Sequence, residues 1–462
     1  MKKGLIFLGL GLLIAGAAQA AIVTNTNQSA AYIRLLSRNA STEVDAVYYN
    51  PAGLAKLADG WHLYLSNQYI SQDKTVVNDF PTLNEASYLG EVRVPLYPDV
   101  YAVWKQGKLA FSFGFGPNAG GGSADYKTGL PSFEWLISTL PMQISTMGLP
   151  TTAYSADIAF KGSSIYFGFQ ANATYAVTDT IALAFGLRYI AATNTYEGHI
   201  NDVMINPYHP LLNPTAAMIP ATTFFNAIAQ PAYAAAVANK GVDSKQTGSG
   251  FTPILSLHAT PIPELNISLR YEFNTKLEMT NETTQDDTAN PTTGDPGMFP
   301  DGAKTRQDIP AILAVGADYA ISPAFRASLS FSLYFDKNAN WDGRQDFVDK
   351  NSYELALGLE YDITDMFTVS AGYMMTRYSF LDDYQSDMSY DLNADTFGFG
   401  GRIKLSPKLY IDVGALIANY TDFSKQIAYY LGVVPLGAYR ELYKQTTFDI
   451  SVGIGYRFGG QD

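Results

Sequence analysis

The sequence predicts an all-β fold: a transmembrane, antiparallel, up-and-down β-barrel of about 14 strands with an N-terminal plug, or hatch, inside its lumen. Three observations predict it: two-residue alternation along most of the chain, a rhythm of short and long connections, and a leader-like start with no long apolar helix after it. The last strand, 447–458, is the clearest case. Phe448, Ile450, Val452, Ile454, Tyr456 and Phe458 share one face, and Asp449, Ser451, Gly453, Gly455 and Arg457 share the other. Side chains of a strand alternate between faces, so one face here meets an apolar medium and the other a polar one.

Residues 1–20 read as a signal peptide: Lys2 and Lys3 charge its start, 5–15 form an apolar run, and Ala18-Gln19-Ala20 is a small-residue cleavage site. The mature chain then starts at Ala21. An uncleaved anchor is the weaker reading, because the run is too short to span comfortably. No later segment has about 18 uninterrupted apolar residues, which excludes a helical membrane protein. Loss of Lys2 and Lys3 lowers the 30 basic residues to 28 against 43 acidic ones, so nucleic acid is not an expected partner. The absence of cysteine excludes a disulfide scaffold, a thiol enzyme and thiolate metal sites. Its 32 tyrosines and 26 phenylalanines suit aromatic girdles at membrane interfaces.

Period-two runs place strands at 61–69, 97–105, 108–116, 163–175, 181–196, 251–259 and 265–276, then at 309–319, 325–336, 353–361, 367–378, 396–405, 409–420 and 447–458. Short turns (106–107, 177–180, 260–264, 320–324, 362–366, 406–408) alternate with long connections (70–96, 117–162, 197–250, 277–308, 337–352, 379–395, 421–446). Outer-membrane barrels keep short turns in the periplasm and long loops outside, which puts both chain ends on the periplasmic side. In 325–336 the outward set is Phe325, Ala327, Leu329, Phe331, Leu333 and Phe335. The alternative is a soluble sandwich with its apolar face buried. The barrel proper is 61–458, with 459–462 a C-terminal extension that leaves the terminal aromatic Phe458 slightly internal, and 277–306 reads as a mobile acidic loop.

Residues 21–60 precede the first strand and do not alternate, which makes them the candidate hatch. They include the run RNASTEVDAVYYNPAGLAKL, with Asn50-Pro51-Ala52-Gly53 near its end. This run resembles the N-terminal hatch signature of the FadL-like outer-membrane transporters of long-chain fatty acids and other hydrophobic compounds. The resemblance implies a fourteen-stranded plugged barrel, a hydrophobic small molecule as partner, and a hatch contact by Asn50, Pro51 and Ala52 near a kinked third strand. Read from the residues alone, Pro51 biases Asn50 away from helix, and Asn50 bonds neighbouring backbone; an ordinary Asn-Pro turn is the bland alternative.

In the third strand, Phe111, Phe113 and Phe115 face outward, Ser112, Gly114 and Gly116 inward, and Pro117 follows. Inward glycines before a proline permit a bulge or bend. In the family such a bend implies a lateral exit into the membrane; the alternative is that the glycines accommodate the plug.

Two long connections carry apolar residues suited to a ligand groove: Phe133, Trp135, Leu136, Ile137, Leu140 and Met142 in the first, and Phe224, Phe225 and Ile228 in the second. Short helices are expected there, broken near Pro220 and Pro231, and their apolar faces either line a groove or close on each other as a lid. Arg188, Arg270 and Arg326 are candidate lumenal partners for a ligand carboxylate, unless they pair with inward acids such as Glu272, Glu354, Glu360 and Asp412. His62, His199, His209 and His258 show no metal-site spacing, and no G-x-S-x-G elbow is present, so neither enzyme chemistry, a metal nor a cofactor is expected. The expected protein is a monomer in outer-membrane lipid; a surface adhesin with external loops binding a partner is the alternative.

Overall fold

The computed structural model describes residues 26–289, 294–431 and 434–459; the leader, residues 21–25 of the expected hatch and 460–462 lie outside them. The wall strands are β1 (Gly60–Asn78), β2 (Ser87–Gln106), β3 (Leu109–Tyr126), β4 (Tyr154–Ala176), β5 (Ile181–Ile205), β6 (Lys240–Ile262) and β7 (Leu265–Glu272). They continue with β8 (Ile312–Ser322), β9 (Phe325–Tyr334), β10 (Val348–Asp362), β11 (Phe367–Phe380), β12 (Ala394–Ser406), β13 (Leu409–Tyr420) and β14 (Val434–Phe458). Each pairs antiparallel with its neighbours in chain order, and β1 closes on β14 from Trp61↔Phe458 to Asn78↔Glu441. Closure removes the free edges that would otherwise expose backbone groups to hydrocarbon.

The outward residues keep the alternation and are left uncovered: Leu65 is 50% exposed, Leu357 47% and Val452 54%, whereas inward Tyr64, Ser268 and Asp412 are each 1% or less. A continuous apolar belt of this kind is suited only to an apolar solvent. Trp61 stacks on Phe458 at 6.3 Å at the short-turn end of the belt. No described helix is long and apolar enough to cross a membrane.

Most strands run further than the alternation predicts, chiefly toward the long loops. Above Tyr69 the outward residues of β1 become Ser71, Asp73 and Thr75, while inward Val76 is buried. The pattern inverts because the outer medium there is water and the inner space is filled by a crown of loops, in which Val76, Tyr88, Tyr126, Phe160, Tyr390 and Tyr443 form an apolar cluster. The region expected to be a mobile loop corrects that expectation: Glu278–Asp286 forms a strand laid on the upper part of β6, with Gln246 Nε2 donating to Asn281 Oδ1 at 2.9 Å. Its polar, threonine-rich side chains bond the neighbouring strand, so low hydrophobicity does not leave it loose. β7 ends four residues earlier than expected, at Glu272, for the same reason: the chain steps across to join this flange.

Candidate functional site

The N-terminal segment runs inside the barrel. Ser29 Oγ accepts from Tyr32 N at 3.0 Å and caps α1 (Ala30–Ile33); α2 (Ala46–Tyr49) follows, then a 3-10 turn over Pro51–Lys56. Tyr32 and Tyr49 stack at 5.5 Å, and Tyr49 OH donates to the Thr26 carbonyl at 2.6 Å, which folds the segment back on itself. Leu36 sits at φ 61, a strained choice for a bulky residue, where the chain reverses against the wall.

Inward glycines make room for this segment. A Cβ at Gly372 would collide with the Leu35 carbonyl, and one at Gly316 with the backbone of Asn39 and Ala40. Gly114 and Gly116 are singled out in the sequence but Gly316 and Gly372 are not, although glycine at inward positions of otherwise alternating strands is a signal of close backbone approach.

Charges tie the segment to the opposite wall. Arg34, fully buried, pairs with Asp412 at 3.0 Å and with Glu360; Arg38 meets Asp45 and Glu43 at 2.6 Å each; and Arg402 meets Asp412 at 2.7 Å and also Glu43. Removing one partner of such a buried set typically costs about 3–5 kcal/mol, because it strands the other charge. The three candidate carboxylate partners are likewise engaged. Arg188 donates to Glu272 at 2.6 Å and to Gln170 at 2.9 Å, Arg270 lies 3.4 Å from Glu272 and donates to the Tyr48 carbonyl, and Arg326 pairs with Glu360.

Asn50 Nδ2 donates to the Ser41 carbonyl at 2.9 Å and lies 3.1 Å from His258 Nδ1, while Ser256 Oγ donates to Asn50 Oδ1 at 3.1 Å. Ala52 N donates to Ser256 Oγ at 3.2 Å, Thr174 Oγ1 donates to the Pro51 carbonyl at 2.8 Å, and Gly53 is packed against Asn50 and the Ser41 carbonyl. The wall hydrogen bonds of Asn50, Pro51 and Ala52 thus go to β4 and β6, while the 3-10 turn that Pro51 opens also lies close to the third strand. Sequence reasoning missed His258 because a lone histidine in an alternating strand carries no spacing signal.

The third strand is met instead by Gln28, whose Nε2 donates to the Pro117 carbonyl, and by Val47, which fills the space in front of Gly114. The β2–β3 ladder runs from Gln106↔Leu109 to Val100↔Phe115, stops, and resumes at Val92↔Ala124. Residues 93–99 and 116–123 are left unpaired across this gap, although β3 still pairs with β4 through two register shifts. The reason is local. Pro95, Pro98 and Pro117 have no N–H to give the ladder, and Gly120 at φ 69 turns the backbone away. Gly114 therefore makes room for Val47 of the N-terminal segment, while the bend belongs to Pro117 and the residues after it.

The gap is polar and poorly satisfied. Asn118 is 2% exposed and neither of its side-chain amide atoms makes a hydrogen bond; the same is true of Asp99 Oδ1. Each such buried orphan costs about 1–3 kcal/mol, so this is a soft point of the wall. Beside it, above Thr26, Asn27 and Tyr32 of the N-terminal segment, lies a cavity of about 420 Å³ whose lining includes Gly120, Gly121 and Gly122.

Over the barrel mouth, α3 (Pro131–Ser138) and α4 (Leu140–Thr146) pack near α5 (Ala221–Ala227) and α6 (Pro231–Ala236). Ile137, Leu140, Phe224 and Phe225 are buried in one cluster with Ile144 and Ile205, so the apolar faces close on each other as a lid. Phe133 and Ile228 pack half-buried against it, Trp135, also half-buried, meets Phe80 at 5.9 Å, Leu136 is half-buried, and Met142 is exposed. His199 lies on the upper part of β5 rather than in a loop.

A scan against protein-family models finds no match, and a search of curated proteins finds none either. Solved structures do match. A FadL homologue of Pseudomonas aeruginosa superposes with a TM-score of 0.65 over 96% of this chain and 100% of its own, at 13% identity. The barrel has the FadL-like fold. The toluene transporter TodX of Pseudomonas putida follows at 0.56, over 91% of this chain and 95% of its own at 13% identity. The toluene transporter TbuX of Ralstonia pickettii gives 0.52, over 90% and 94%, at 14% identity. In this FadL-like barrel the N-terminal segment, the gap between β2 and β3 and the cavity are contiguous.

Proposed function

We propose that this protein is a monomeric outer-membrane channel, not an enzyme, that takes hydrophobic small molecules from the exterior and releases them sideways into the membrane. The observation that carries this reading is the position of the 420 Å³ cavity, with the N-terminal segment as its floor and the interrupted β2–β3 ladder as its side wall. Movement of the segment withdraws Gln28 from Pro117 and Val47 from Gly114, which frees the gap. Lateral release follows from solvation: apolar surface gains about 25 cal/mol per Å² on leaving water, so a greasy molecule prefers lipid to the periplasm. The FadL-like fold, and toluene transport by two proteins that share it, support the same reading.

The test is uptake of a labelled neutral aromatic by cells that express the protein, set against cells that lack it. Saturable, expression-dependent uptake is expected, and no difference between the two would sink the proposal. Conductance in a planar bilayer should rise on deletion of residues 21–58 if the segment acts as the hatch.

A further inference from the structure

The substrate class of this channel is written in the charges of the cavity, an inference that rests on the uptake reading. Glu354, Asp391 and Asp449 line it, and Lys74 is the one basic side chain among its described lining residues. Lys74 is committed elsewhere: its Nζ lies 4.7 Å over the Tyr390 ring, and burial pulls its proton affinity down against the opposing pull of Asp391. The interior guanidiniums are committed too. Arg34, Arg38, Arg188, Arg270, Arg326 and Arg402 are each ion-paired and none lines the cavity. Arg344, in the crown, lies 4.1 Å over the Tyr384 ring and donates to the Tyr384 and Ser389 carbonyls.

The acids are placed differently. Glu354 accepts from Tyr334 OH at 2.6 Å and from Thr376 Oγ1 at 3.1 Å. Asp449 is 1% exposed, and its Oδ1 has no hydrogen-bond partner. That oxygen is an acceptor awaiting a donor: a ligand hydroxyl can donate to it, whereas an ionised carboxylate brings only further acceptors. The rest of the lining mixes uncharged polar side chains such as Gln72, Ser163 and Thr447 with aromatic and soft ones, Tyr32, Tyr378, Tyr420, Phe160 and Met374, that suit an apolar body.

We propose that the cavity selects uncharged hydrophobes, hydroxyl-bearing ones included, and rejects carboxylates, so that the cargo is a neutral molecule and not a fatty-acid anion. A carboxylate entering here would leave water to meet no cation but Lys74, which is already engaged over Tyr390, and that is unfavourable for a buried charge. A neutral ring or chain gives up only its hydration, and gains by doing so.

A matched pair isolates the charge: oleyl alcohol and oleate at pH 8, measured by equilibrium binding to the full-length protein in nanodiscs, with binding to empty nanodiscs subtracted. The alcohol should bind at least tenfold more tightly. Asp449→Asn should narrow that ratio severalfold by admitting oleate, and Thr447→Lys, which places a cation in the lining, should narrow it independently. Equal or tighter binding of oleate to the native protein overturns the charge inference and leaves the uptake reading intact, as does a ratio that neither variant changes. Failure of both ligands to bind, together with no uptake of a neutral aromatic, sinks the uptake reading and this inference with it.

Discussion

The side-chain amide nitrogen of Asn50 lies 3.1 Å from Nδ1 of His258, which ties the N-terminal segment to the inner face of β6 through two fully buried side chains. Ser256 bonds both the Asn50 side chain and the backbone of Ala52, so three wall bonds depend on this corner. Asn50→Ala removes donor and acceptor together and leaves His258 Nδ1 and the Ser256 hydroxyl proton without their partner. We expect a loss of about 2–4 kcal/mol in the docking of the segment, read as faster proteolysis within residues 26–57 of the folded barrel, from two orphaned buried groups. Native resistance to protease in this variant would show that the corner is not an anchor.

Gly372 faces the Leu35 carbonyl at a separation that leaves no room for a Cβ. Gly372→Val should leave the outward face of β11 and the assembly of the barrel unchanged but displace the segment. Single-channel conductance should then rise severalfold over the native protein. A barrel that remains closed would mean that the plug tolerates a shift at this contact.

Pro95, Pro98 and Pro117 deprive the gap of ladder donors. Replacing all three with threonine restores three N–H groups and favours pairing of residues 93–99 with 116–123. Uptake of a neutral aromatic should fall about tenfold, while amide exchange in both stretches slows. Slow exchange combined with normal uptake would rule out this exit.

Glu441 is buried in the crown, where it accepts from Asn78 Nδ2 at 3.2 Å and from Tyr443 OH at 2.5 Å, with Asp387 and Lys425 nearby. Burial first, and then Asp387, push it from an ordinary 4.5 up to about 7. The folded crown therefore holds a proton that the unfolded chain releases above about pH 4.5. The stabilisation is full below that value and is lost as the pH rises through about 7. Asp387, itself raised by burial, accepts from Ser132 N at 2.8 Å and links this carboxyl to α3. Protease cleavage of the loops should be slower at pH 5 than at pH 8, and Glu441→Gln should flatten that difference. An unchanged pH profile in the variant would place the effect elsewhere.

All fourteen wall strands were legible because lipid outside and a filled lumen inside impose opposite demands on successive residues. The signal stops where that contrast stops, which is why β1 was read to Tyr69 and runs to Asn78. Helices in the two apolar connections were legible as well, but an amphipathic helix does not reveal what covers its apolar face. Phe224 and Phe225 turn out to be covered by the neighbouring loop helices. The gap in the wall was half legible: Gly114, Gly116 and Pro117 drew attention to β3, whereas Pro95 and Pro98 across from it lay at the edge of an apparent loop.

Local alternation, turn spacing and the N-terminal motif are properties of neighbouring residues, and they were sufficient for the barrel, its strand order and the existence of a segment to fill it. Partners on different elements are another matter. That Asn50 meets His258, that Leu35 rests on Gly372, and that every lumenal arginine proposed for a ligand already holds a carboxylate or a carbonyl follow from closure of the barrel around the segment. Buried charges and buried backbone must find partners wherever closure brings them, and a linear pattern records the need for a partner without recording its identity.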